Sequence, residues 1–352
     1  MPNCTPTPPA RPPLAGWALA FAVSASGILG AQAPTVDPAA FAYTSGARET
    51  GFPFGHPDRR SVRLMQIHDG LAGTPRTITS VAFRRSPSGV LAVPTFLADV
   101  SMSLGTAAPG RTAATIDAAF DQNLGSDTAL VLPRRTVQFP ASAPPTTDPA
   151  PFEYRIPTDT PFAFAGLGPL CIDLTVHDHT NPIPTRFDLH ADGYAHVASQ
   201  GTGCAGLELV TSVTLPDVVH TVNGAAPGTP LALILGGDFR SASGIPLPLS
   251  LTPLGAPDCS LLVDPAIGVP SIADPTGVGR ITLPVASAPP DAFYGAQALA
   301  LDPALNALGL GLTGLDIVVP RTGRVVGRVF AENVTEPSGI AQPVFGLVVE
   351  VR

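Results

Sequence analysis

The chain has 352 residues, 45% of them hydrophobic, with 42 prolines and 35 glycines, a formal net charge of -8 and a pI near 5.2. That hydrophobic fraction excludes wholesale disorder, the length suits two domains of ordinary size, and the proline and glycine load opposes long helices. The acidic balance excludes nucleic acid and anionic membrane as partners, and because all 19 basic residues are arginine, lysine-based Schiff-base chemistry is excluded as well.

At the N-terminus one arginine precedes an uncharged apolar run from Leu14 to Leu29, followed by Ala31-Gln32-Ala33. This is the pattern of a secretory signal peptide over residues 1–33, the alternative being an uncleaved membrane anchor. Export is therefore expected, to the periplasm, the cell surface or the extracellular space, with no stable membrane association after cleavage. Cleavage leaves Cys171, Cys204 and Cys259. In an oxidising compartment one disulfide is expected, preferably Cys204–Cys259, which would constrain the unfolded chain by about 4 kcal/mol. Cys171 lies in an apolar strand, where a buried thiol behaves as a small hydrophobe.

Along the mature chain, alternation with period two recurs and helical periodicity does not. In "ADVSMSL" Ala98, Val100, Met102 and Leu104 share one face, and in "GRITLPV" Ile281, Leu283 and Val285 do the same. In "FGLVVEV" Phe345, Leu347, Val349 and Val351 alternate to the end, giving a terminal strand pair. "IPLPLSL" alternates too, but Pro246 and Pro248 cannot donate to a ladder, so an edge strand is expected there. The proline-rich stretch 140–151 reads as a long loop within a domain, and "SQGTGCAG" as the better boundary. The expectation is all-β: two antiparallel β-sandwich domains, jelly-roll or Greek-key-like, at 34–200 and 201–352.

The segments "RLMQIHDG", "ITSVAFRR" and "PFAFAGLGPLCIDLTVH" in the first half carry a resemblance, as do "GTGC", "LPLSLTPLGAPDCSLLVD", "YGAQALALDP" and "GLGLTGLDIVV" in the second. With them the chain resembles secreted, uncharacterised two-domain β-rich proteins common in planctomycete bacteria. The resemblance implies a β-rich exported bacterial protein. The group has no established catalytic residues, so none is carried over.

The chemistry-bearing stretch is "LTVHDHTNPIPTRFDLHADGYAH". Alternation places His177 and His179 on the polar side of one strand, and His190 and Asp192 on the polar side of the next. If the two strands pair as a hairpin, cross-strand neighbours lie about 5 Å apart and these side chains share one face. Two histidines and a carboxylate can then ligate zinc or another transition metal. A plain solvent-facing hairpin is the preferred reading, because Arg186 sits beside the site and would repel a cation, and a flat sheet face offers no pocket.

Elsewhere Asp121, Asn123 and Asp127 are oxygen donors of the kind calcium takes, but they lack the EF-hand pattern and read as a turn. There is no G-x-S-x-G elbow, and "GLGLTGL" is strand-like rather than phosphate-cradling. The mature chain has no tryptophan and four tyrosines, Tyr43, Tyr154, Tyr194 and Tyr294, few platforms for stacking sugars. The functional expectation is a secreted, non-catalytic structural or weak-binding protein of the cell surface or extracellular space. The alternatives are a metal-dependent hydrolase or metal-binding protein using His177, His179, His190 and Asp192, and a glycan-binding module.

Overall fold

A computed structural model of the chain describes residues 32–289, 292–323 and 325–352. The apolar run Leu14–Leu29 expected of a signal peptide lies outside the described residues. The chain is all-β: its strands form several antiparallel sheets, and the helical turns are short 3-10 pieces of three or four residues. No helix among the described residues is long and apolar enough to cross a membrane.

The first group of sheets is built around a six-stranded sheet ordered Ile340–Gln342, Val326–Ala331, Val62–His68, Leu170–His179, Phe96–Thr106, Ala129–Phe139. A four-stranded sheet of Thr35–Asp37, Val349–Val351, Arg76–Phe83 and Tyr154–Phe164 accompanies it, with a small sheet of Arg48–Thr50, Phe187–Ala191 and Phe345–Leu347. Side chains from all three enter one core. Ala98, Val100, Met102 and Leu104 point into that core as alternation predicts, each at most 1% exposed. Its centre is aromatic: Phe54, Phe96, Phe139, Tyr154 and Phe187 meet ring to ring, with centroids 4.9 Å apart for Phe54–Phe139 and 5.2 Å for Tyr154–Phe187. Such tilted contacts add to the area each ring removes from water.

The second group pairs a five-stranded sheet, ordered His196–Gln200, Leu310–Val319, Tyr294–Leu301, Pro230–Gly236, Ile267–Ile272, with a three-stranded one of Glu208–Thr214, Asp217–Asn223 and Gly279–Pro284. Their shared core is alanine-rich, with Ala296, Ala298 and Ala300 opposite Val222 and Ile281. Small side chains let the sheets approach closely: a Cβ on Gly279 would lie 2.2 Å from Leu231 Cδ1.

The organisation differs from the expected split at 200/201 in two ways. Strand His196–Gln200 pairs with Leu310–Val319 and so belongs to the second group. The terminal strands leave the second group altogether: Val326–Ala331 pairs with Val62–His68, Phe345–Leu347 with Phe187–Ala191, and Val349–Val351 with Arg76–Phe83. Residues 196–319 are thus an excursion from a framework that both ends of the chain complete. Its two stems are tied together where they meet. Thr322 N–H donates to Tyr194 O at 2.9 Å, Gly193 N–H to Thr322 O at 3.1 Å, and the Thr322 hydroxyl to Ala191 O at 2.6 Å. The expected terminal pair is also two pieces in two sheets, since the chain changes sheet at the buried Val348. "IPLPLSL" likewise breaks into two-residue ladders, Ile245–Pro246 with Ser241–Ala242 and Leu249–Ser250 with Ser260–Leu261. Two missing amide donors leave no room for a longer one.

Candidate functional site

The four residues expected to share a face do not. Strand Leu170–His179 lies between Val62–His68 and Phe96–Thr106, whereas Phe187–Ala191 lies between Arg48–Thr50 and Phe345–Leu347, so the expected hairpin is not formed. A bulge separates the two histidines of the first strand: Asp178 pairs with Asp99 and Val176 with Val100, leaving His177 as the extra residue. A bulge shifts the alternation by one and re-aims the side chains beyond it. His177 therefore stays with the polar face and bonds Ser101 Oγ at 3.1 Å, while His179 turns inward, 2% exposed, edge-on to Phe54 and Phe96. Burial lowers the pKa of both.

Strand Phe187–Ala191 is buried on both faces, which alternation could not anticipate. Asp188 is covered by Arg84 and the Gly46 amide. His190 is fully buried, its Nε2–H donating to Gly323 O at 2.8 Å and its ring tilted against Phe41. Asp192 comes just after the strand, its amide donating to Val344 O at 2.9 Å. No group of three histidine, cysteine or acidic side chains converges as a metal site among the described residues. Two of the three calcium-like donors are likewise engaged: Asn123 Oδ1 accepts from the Asp117 amide at 2.8 Å, and Asp127 accepts from the Thr106 amide and hydroxyl.

The polar groups that do gather lie between the two sheets of the second group. Ser199 and Asp316 are cross-strand partners, and the serine hydroxyl donates to Asp316 Oδ1 at 2.6 Å. Burial pushes the Asp316 carboxyl up, and the neighbouring Ser199 and Thr211 pull it back, but no donor stands in hydrogen-bond geometry on Oδ2. His220 bridges the layers, sharing a 2.7 Å hydrogen bond with Thr211 Oγ1 through Nδ1 and a 3.0 Å one with Tyr294 Oη through Nε2. It is fully buried, and desolvation lowers its pKa to about 4. A histidine held neutral to that degree is a poor proton shuttle near pH 7 but a sound hydrogen-bonding strut. Two clefts open in this group of sheets. One, of about 300 Å³, is lined by Ser199, Thr202, Glu208 and Asp316. The other, of about 440 Å³, is apolar, with Leu235, Ile267, Leu283 and Tyr294 on its walls.

Sequence reasoning missed this set, although part of it was legible. Val218, His220 and Val222 share one phase of "DVVHTVN", so alternation alone places the histidine inward. Its partners come from strands 9 and 74 residues away and carry no local signal.

His220 makes stability depend on pH. Because its folded pKa is depressed, the unfolded chain takes up the proton first as pH falls. Stability is intact above about pH 6.5 and declines toward pH 4, by about 3 kcal/mol for the whole shift. His179, His190 and His196 act in the same sense, since burial lowers each. Urea midpoints at pH 7.5 and 4.5 are expected to differ accordingly, with the difference reduced in His220→Phe. Equal slopes in parent and variant would count against this assignment.

No protein-family model matches the chain, and no curated protein matches it. Among solved structures, the cryo-EM structure of the T=1 Penaeus vannamei nodavirus aligns over 74% of this chain and 82% of its own, at 14% identity and a TM-score of 0.11. At that score the likeness carries no argument about fold or function.

Proposed function

We propose that the protein is an exported, non-catalytic β protein that serves at the cell surface or in the extracellular space through structure or weak binding. The observation that carries this reading is the use made of the histidines. Four of the seven join separate strands or segments: His68 Nδ1 to Asp37 at 2.8 Å, His190 to Gly323 O, His196 Nε2 to Thr44 Oγ1 at 2.5 Å, and His220 to Thr211 and Tyr294. Groups spent on holding strands together in a dry interior are poorly placed to meet a substrate. The Cys204–Cys259 disulfide supports export, because such bonds persist in oxidising compartments.

Treating intact cells with a non-permeating protease tests location. A C-terminal tag is expected to be removed, or found in the medium, and its retention inside intact cells would overturn export. Metal analysis of the purified protein tests the other half. His177→Ala is expected to change neither stability nor metal content, and loss of a stoichiometric metal in that variant would favour a metalloprotein instead.

A further inference from the structure

Arg328, in strand Val326–Ala331, is a buried cation without a buried anion. It is 6% exposed, its guanidinium lying 5.3 Å from the Phe330 ring centroid and 6.0 Å from that of Phe52. Nε donates to Gln342 Oε1 at 2.7 Å and Nη1 to Thr50 Oγ1 at 3.2 Å, both neutral acceptors. No carboxylate of the described residues lies within ion-pair distance of it; of the two other buried arginines, Arg84 has Asp188, and Arg85 donates to the carbonyls of Ser142, Ala143, Gly89 and Leu91, a fuller set of acceptors than Arg328 has. Burial lowers the Arg328 pKa to about 10, which leaves it charged at neutral pH. An ion held in a dry site without a counter-charge costs several kcal/mol, so its retention calls for compensation. Two ring faces and two neutral acceptors supply part of that.

The remainder is open to a ligand. Nη2 takes no acceptor among the described residues and is not sealed from solvent. Arg328 lines a groove of about 290 Å³ together with Arg48, Glu49, Leu189, Gln342 and Phe345. Arg48 brings a second positive charge whose partner is neutral, the Tyr194 hydroxyl and ring. Glu49 is already engaged, with Arg186 at 3.6 Å and the Ser88 hydroxyl. The groove therefore presents two arginines uncompensated by carboxylates, with one carboxylate at its rim.

We propose that this groove binds a monoanionic, hydroxyl-bearing carboxylate of the uronic-acid type. A planar carboxylate matches the fork of the guanidinium, which binds it with charge-assisted hydrogen bonds. The Glu49 charge at the rim, held there by Arg186 and the Ser88 hydroxyl, disfavours a dianion such as phosphate, and Gln342 offers its amide to hydroxyls beside Arg328. Leu189 and Phe345 offer the apolar contact that the C–H face of a sugar ring takes. The volume is at the lower end for small-molecule sites, which suits a single ring. The proposal depends neither on where the protein resides nor on whether it is catalytic.

Titration calorimetry of the folded protein with D-glucuronate, D-glucose and inorganic phosphate, at constant ionic strength, tests it. Glucuronate is expected to bind at least about tenfold more tightly than either comparison ligand, and Arg48→Gln to weaken it about tenfold. Glu49→Gln is expected to bring phosphate closer to glucuronate. Arg328→Gln should abolish binding if that variant folds; Arg48→Gln, at the exposed rim, decides the matter if it does not. Equal binding of glucuronate and glucose, equal binding of glucuronate and phosphate, or an unchanged affinity in Arg48→Gln would each overturn the proposal.

Discussion

Asp188→Ala is expected to destabilise the fold by about 3–5 kcal/mol, read as a lower urea midpoint at an unchanged slope. The Asp188 carboxylate and the Arg84 guanidinium are 0% and 1% exposed as side chains. Arg84 Nε donates to Asp188 Oδ2 at 2.7 Å, its Nη2 lies 2.6 Å from the same oxygen, and the Gly46 amide donates to Oδ1 at 2.7 Å. Arg84 Nη2 also reaches Thr44 O at 2.7 Å, and the Phe152 ring lies 4.9 Å from its centre. One ion pair therefore joins the end of strand Arg76–Phe83, strand Phe187–Ala191 and the segment around residues 44–46. No side chain fits at Gly46, where a Cβ would lie 2.3 Å from Leu189 O. Removing the carboxylate leaves an arginine in a dry site with no anion, and the cost comes from that stranded charge more than from the lost attraction. Arg84→Met combined with Asp188→Leu, which removes both charges, should lose less stability than Asp188→Ala alone. A single variant within 1 kcal/mol of the parent would show that the pair is hydrated rather than buried.

Much of this architecture is legible in the sequence, and the illegible part has a common cause. Alternation assigned the faces of Ala98, Val100, Met102 and Leu104, because the phase of a strand is a local property. The Cys204–Cys259 pair is the one preferred from the sequence, with Cys171 set in an apolar strand as the thiol left over, and the disulfide is formed. What alternation cannot supply is the partner of a strand. The tail reaches back to strands near residues 62–83, and the small sheet that buries Asp188 and His190 draws its strands from residues 48–50, 187–191 and 345–347. The candidate metal face failed on that count and on a second, local one. Its two strands were adjacent in sequence but joined different sheets, and the bulge at His177 separated that residue from His179 by a shift of one, enough to exchange the faces of a strand. The Arg328 groove needed the tail to be in place, since Arg328, Gln342 and Phe345 meet Arg48 and Leu189 only through those long-range ladders.

Replacing both cysteines of the Cys204–Cys259 pair by serine is expected to cost about 4 kcal/mol, the loop-closure entropy for a bridge of this span. The bond joins residues 55 apart, and the loop it closes contains the strands Glu208–Thr214, Asp217–Asn223 and Pro230–Gly236. Those strands carry His220 and half of an alanine-rich core, which has fewer large side chains to hold it than the aromatic core of the first group. The bridge is also set into the sheet. Cys204 N–H donates to Leu312 O at 2.8 Å, Leu312 N–H donates back to Cys204 Sγ at 3.1 Å, and the Cys259 carbonyl accepts from Leu251 N–H at 2.8 Å. Around it Ala256 and Leu312 are buried with Leu251, Leu299 and Leu310 packed against them. Loss of the bridge should therefore be felt first in residues 204–259, where amide exchange is expected to accelerate more than in strand Phe96–Thr106. The first group gives the internal control: its Cys171 is a buried free thiol with no bond to reduce, so a mild reductant should leave that group untouched while weakening the second. Uniform acceleration across both groups, or a stability loss below 1 kcal/mol, would show that the excursion stands without its bridge and that the thin core alone supports it.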